Sequence, residues 1–191
     1  MILAEPLCAS LFQYGKFGAQ DTRMVAAAVS AMSIGIPAFM LSKVLLPAFF
    51  SRHDTKTPMH VAVWTVFVNI VLIASMVTVL RWLESPFAHV GIALATALAG
   101  IFNAFALERI LRREGVYSPE AGWGRWLLKI AIACTVMAAV VLLIRWQVGD
   151  WRLLPGLHRI GWLLVAVIAG ASSYLATHWA FGLRLHHLRE V

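Results

Sequence analysis

Gly35-Ile36-Pro37-Ala38-Phe39-Met40-Leu41-Ser42-Lys43-Val44-Leu45-Leu46-Pro47-Ala48-Phe49-Phe50 runs directly into Ser51-Arg52-His53-Asp54-Thr55-Lys56-Thr57-Pro58. The first part reads as an apolar helix carrying two prolines and a lysine. The second is a short charged turn. A plain membrane anchor needs none of these irregularities. A proline inside a spanning helix leaves a backbone carbonyl without its donor, to be satisfied by a neighbouring helix, a polar side chain or water. A lysine in hydrocarbon is costly, so Lys43 should face protein, water or the interface. The stretch therefore belongs to a bundle that surrounds something.

The rest of the chain agrees. Of its 191 residues 61% are hydrophobic and 13% charged, and the formal net charge is +7. No soluble core of this length hides so much apolar surface, so the fold class is an all-α polytopic membrane protein. The basic excess sits at the ends of apolar runs, where membrane topology and anionic headgroups explain it, and nucleic acid is excluded as a partner. Cys8 and Cys134 lie far apart without ligand-like company and read as small buried hydrophobes.

About five transmembrane helices are predicted, over residues 24–50, 59–80, 88–107, 126–144 and 160–182, each near the roughly 20 residues a bilayer requires. Residues 1–23 read as the end of a preceding helix and an external loop, with capping chemistry at Gln20-Asp21-Thr22. Residues 24–107 hold three spans, 108–125 a cytoplasmic loop, and 126–191 the last two spans and a cytoplasmic tail. Ala31, Gly35, Ala38 and Ser42 form a stripe of small side chains that permits close helix approach. Trp82, Trp123, Trp126, Trp146, Trp151, Trp162 and Trp179 fall near span ends, as an interfacial belt does. Lys and Arg are densest around 108–129, which places that connection and the C-terminus in the cytoplasm. Lys16 and Arg23 then flank the first span on the outside with nothing upstream to carry them across. The simplest account is a chain that forms the C-terminal part of a longer one.

Few residues offer chemistry. Lys43 lies roughly 12 Å from the cytoplasmic helix end at 1.5 Å per residue. It either snorkels to the interface or offers a cation to phosphate in a polar cavity. Asp54 and Lys56 belong to a structural turn that doubles as a candidate gate element. Thr65, Asn69, Thr96 and Asn103 read as interhelical hydrogen-bonding groups, and no carboxylate lies at depth to complete a metal site. The histidines form no catalytic set, and Asp54 is too little acid to hold a metal–diphosphate, so the chain does not read as an enzyme. Arg184, His186, His187 and Arg189 suit anionic headgroups.

Leu11-Phe12-Gln13-Tyr14-Gly15-Lys16-Phe17, Asp21-Thr22, the Gly35–Leu45 run and Asp54-Thr55-Lys56-Thr57-Pro58 closely resemble the MurJ (MviN) family, the bacterial lipid II flippases of the MOP transporter superfamily. The resemblance implies a match to the last five helices of a fourteen-helix MOP-type transporter in the cell inner membrane. It implies alternating-access transport of lipid II, the undecaprenyl-linked peptidoglycan precursor, with a missing N-terminal lobe and membrane lipids as partners, and no activity alone. The alternative is a structural membrane subunit that completes a separately encoded N-terminal half. No cofactor is implied; coupling to sodium, or to protons and the membrane potential, stays open. Asn69 and Thr96 would match a cation-binding pair of the family, but Ile73 stands where an acid is expected. The last two spans would form a groove for the polyprenyl tail.

Overall fold

The computed structural model describes residues 1–12, 17–83, 88–117, 123–149, 151 and 154–181. The readings placed on Lys16, on residues 118–122 of the 108–125 loop and on the basic tail lie outside these residues. Every element is helical: α1 (Ala4–Phe12), α2 (Ala19–Ser33), α3 (Ile36–Phe50), α4 (Lys56–Trp82), α5 (Ala88–Arg113), α6 (Trp123–Val148) and α7 (Gly156–Ala180). Five stretches are long and apolar enough to cross a membrane: 19–50, 56–82, 89–113, 123–148 and 156–180. The helices outrun the apolar windows at several ends. The polar segment from Glu108 stays helical to Arg113, helped by a Glu108–Arg112 ion pair one turn apart. The chain divides into two compact units, residues 23–118 with Met1, and residues 2–22 with 119–191.

The first span is not continuous. It breaks at Ile34–Gly35, halfway along. Ile34 and Gly35 close short i→i+3 bonds to Ala31 and Met32, and Pro37 starts α3 in its first turn, where a missing N–H does least harm. Upstream, α2 begins at Ala19, ahead of the expected span start at residue 24. Asp21 reaches back to the Gly18 N–H (2.9 Å), half of a capping box.

Within the first unit α3 and α5 run side by side in the same direction. Gly35 meets Ala97, Ser42 meets Asn103 and Arg52 meets Glu114, at a nearly constant offset. The stripe of small residues is the reason. Ala31, Gly35 and Ser42 are buried, and Gly35 packs directly on the buried Ala97 of α5. The returning α4 packs on α5 so closely that a Cβ on Gly91 would stand 2.7 Å from Leu80 and 3.2 Å from Met76. Toward the charged turn, Leu45, Phe49, Val61, Leu107 and Leu111 make the apolar core of the unit.

In the second unit α6 and α7 form an antiparallel hairpin, joined near Gly149 (φ +71°). Against its connecting end lies α1, held by two arginines. Arg145 donates to the Ile2 carbonyl (3.1 Å) and to Glu5 (2.7 Å). Arg159, 9% exposed, donates to the Leu154 carbonyl (2.6 Å) and to the Ala9 carbonyl (3.3 Å). Two expectations are corrected here. Cys134 is exposed on α6, while Cys8 is fully buried on α1. Trp151 is buried in the α6–α7 connection and does not join an aromatic belt.

Candidate functional site

Lys43 sits on the face of α3 turned away from α4 and α5. Its neighbours Ser42 and Leu45 are buried, whereas Val44 is 72% exposed and Met40, Pro47 and Phe50 are also exposed. The ammonium has no hydrogen bond or ion pair among the described residues.

Below Lys43 the helix ends in a Schellman motif. His53 takes the left-handed position (φ +57°), Asp54 N–H donates to the Phe49 carbonyl (3.1 Å), and His53 N–H donates to the Phe50 carbonyl (3.0 Å). Glycine usually holds that position, and a histidine there costs about 1–2 kcal/mol. The end of α5 repeats the motif with Gly115 (φ +69°) and a Val116 N–H to Leu111 carbonyl bond of 3.0 Å. The two ends lie level and are joined by the exposed Arg52–Glu114 ion pair, which carries about 0–1 kcal/mol.

Asp54 serves the turn itself. Its Oδ1 accepts the Thr57 N–H (3.0 Å) at the start of α4. The Thr57 hydroxyl and N–H hold its carboxyl below the ordinary value of 3.8. A folded pKa below the unfolded one gives stability that is complete above the unfolded value and lost as pH falls through the folded one. Acid titration in detergent should therefore leave the turn intact down to about pH 4 and loosen it below, read by amide exchange at Thr57. Asp54→Asn, which keeps a capping acceptor, should remove that dependence. Lys56 is exposed and its side chain makes no ion pair among the described residues. The charge on this turn that reaches another element is Arg52. The sequence signal was faint: one arginine and one glutamate, each just past a helix end.

Of the polar groups at depth, three come together. Asn103 Nδ2 donates to Ser42 Oγ (3.1 Å), and the Thr65 hydroxyl, shared with the Val61 carbonyl of its own helix (2.8 Å), reaches Asn103 Oδ1 (3.2 Å), so one amide touches both α3 and α4 from α5. The expected cation pair does not assemble in this way. Asn69 Oδ1 is screened from solvent without a partner among the described residues. Thr96 spends its hydroxyl on the Ile92 carbonyl of its own helix (3.0 Å) and is exposed. One amide oxygen with no carboxylate nearby does not fit a sodium site, which needs several converging oxygens. Among the described residues no group of three or more His, Cys, Asp or Glu converges. In the second unit, Leu157, His158, Gly161, Trp162 and Val165 line an apolar groove of about 430 Å³ along α7.

The first unit is thus a set of packed apolar helices on which Lys43 has no ion pair among the described residues. Comparison with known proteins identifies the family. A family model described as "Lipid II flippase MurJ" matches residues 1–154. The chain is 30% identical to a probable lipid II flippase MurJ of Haemophilus influenzae, with 98% of this chain aligned. It is 32% identical to the lipid II flippase MurJ of Burkholderia cenocepacia over 98% of the chain, and 34% identical to a probable one of Vibrio cholerae over 99%. In each case the chain spans 35% of the relative's length. A chain whose described elements are all helical, with five stretches long and apolar enough to cross a membrane and a family-model match over most of its length, belongs to the lipid II flippase MurJ family.

Proposed function

We propose that the chain is the C-terminal portion of a lipid II flippase, which carries the lipid-linked peptidoglycan precursor across the bacterial inner membrane by alternating access and makes no covalent change to it. The observation that carries this reading is the family match over residues 1–154 in a chain that spans 35% of its relatives. Such a portion holds only part of a cavity, so it flips nothing by itself. In this role Lys43 contacts the anionic headgroup, and the turn with Asp54 and Lys56 moves as a gate element on the cytoplasmic side, where the C-terminus also lies. The α7 groove takes polyprenyl tail.

The 35% coverage equally favours a second reading, a structural subunit that completes a separately encoded N-terminal half. Both are tested in cells depleted of their own lipid II flippase. The chain alone should not restore growth. Co-expressed with the part of the Vibrio cholerae relative that it does not cover, it should restore growth and co-purify with that part. If both pieces accumulate in the membrane and co-purify but growth fails, the flippase reading is wrong. Growth restored by the chain alone would refute its inactivity.

A further inference from the structure

The break at Ile34–Gly35 divides the first span into two halves that are held in different ways. Below it, α3 is fixed along α5 at three levels: Gly35 on Ala97, Ser42 on Asn103 and Arg52 on Glu114. The sequence separation at these ties stays at 61 or 62 residues, so the two helices keep one register. Above the break, α2 packs on α5 far less extensively than α3 does. A histidine at the start of α5 ties it: His89 Nε2 donates to the Met24 carbonyl (3.0 Å) in a part-buried setting. The nitrogen is the donor because a carbonyl only accepts. Here the separation has slipped from 62 to 65 residues, so α2 does not prolong the line that α3 follows on α5.

The chain around the break is soft. The Ser30 and Ser33 hydroxyls donate to the Ala26 (2.8 Å) and Val29 (2.7 Å) carbonyls one turn back, a pattern that bends helices. Ile34 and Gly35 bond three residues back, to Ala31 and Met32, instead of four. Pro37 has no N–H to offer the Ser33 carbonyl. Serine back-bonding, a tightened turn and a proline, each a sufficient cause of a kink, thus fall together between Ser30 and Pro37. We infer that residues 23–33 swing as one piece about Ile34–Gly35 while α3 stays on α5, and that His89 is the latch that holds the swinging piece. One half of the span is then a fixed post and the other a movable arm. His89 positions the arm through the Met24 backbone, so the latch does not depend on which side chain stands at 24. The pivot and its latch stand on the geometry of the first unit alone; their use in transport rests on the flippase reading.

The test is distance measurement by double electron–electron resonance on the full chain in membranes, with Cys8→Ser and Cys134→Ser as background. Nitroxide pairs go on exposed positions: Val29→Cys with Ile92→Cys above the break, and Met40→Cys with Phe102→Cys below it. The lower pair should give one narrow distance and the upper pair two. His89→Ala should cut the ratio of short to long upper distances about tenfold, the effect of one hydrogen bond of ordinary strength. His89→Gln, which keeps an N–H donor, should restore most of that ratio. Pro37→Ala gives the Ser33 carbonyl a donor and should narrow the upper distribution without moving the lower one. The lower pair also reports whether each variant keeps α3 on α5. One narrow upper distance in both the parent and His89→Ala overturns the pivot. Two upper distances that His89→Ala leaves unchanged overturn the latch, and failure of His89→Gln to restore the ratio overturns its donor role. Upper and lower distances that broaden together put the motion outside Ile34–Gly35 and overturn the pivot as well. None of these readouts depends on transport, so they fail separately from the growth assay.

Discussion

Gly35→Ala should unfold the first unit at markedly lower temperature than the parent chain in detergent. Gly35 has φ −78° and ψ −17°, an ordinary helical conformation open to any residue. The glycine is there for space. A Cβ at this position would stand 2.8 Å from Ala97 Cα and 3.0 Å from Ala97 Cβ. A backbone atom cannot rotate away, so α3 and α5 must part, and parting strains the Ser42–Asn103 bond one helical stretch below. Overpacking of this kind costs about 1–3 kcal/mol, more than the 0.4–1 kcal/mol that alanine recovers by stiffening the unfolded chain. Gly100→Ala is the instructive contrast. Its Cβ would lie 2.8 Å from Cδ1 and Cζ of Phe39, a side chain that has somewhere to go. Phe39→Leu should therefore rescue Gly100→Ala and leave most of the Gly35→Ala defect in place. Equal rescue of both would show that the helices do not approach at Ala97.

That contact explains what could be read in advance. Small residues at helical spacing in a membrane segment mean close backbone approach whatever the partner, so the stripe from Ala31 to Ser42 was legible. The five spans were legible because a bilayer fixes their length. Gly35-Ile36-Pro37 marked an irregularity, though not the full break at Ile34–Gly35. What stayed hidden depends on pairs far apart in the chain. Nothing local says that Arg52 finds Glu114, that Asn103 gathers Ser42 and Thr65, or that Arg145 and Arg159 hold a short helix at the other end of the chain. Nor does hydropathy separate a thiol on an outward face from one beneath a docked helix, which is why Cys8 and Cys134 looked alike. Lys43 is intermediate: its depth followed from counting residues, but its direction followed only from which side of α3 the other helices cover.

Arg159→Ala should release α1 from the hairpin, and Cys8 should report it. The guanidinium sits 9% exposed in the first turn of α7 and donates from two sides, to Leu154 in the preceding connection and to Ala9 near the C-terminal end of α1. Hydrogen bonds from a charged group carry about 1.5–3 kcal/mol each, and the Ala9 carbonyl is among the last of its helix, where a cation is further favoured. Cys8 lies under this contact with no exposed surface, and burial holds its thiol above the ordinary value of 9.0. A loss of about 2 kcal/mol in docking makes the undocked state roughly thirtyfold more populated, and maleimide labelling of Cys8, in a Cys134→Ser chain, should quicken by that factor. Arg159→Lys should fall nearly as far, because a single ammonium cannot span both carbonyls as a planar fork does. Arg145→Ala should give a smaller change, since its pair with Glu5 is partly open to water, with side chains 38% and 28% exposed. If Cys8 labels at the parent rate in Arg159→Ala, the arginine is a passenger and the packing of Ala4, Ala9 and Ser10 alone holds α1 in place.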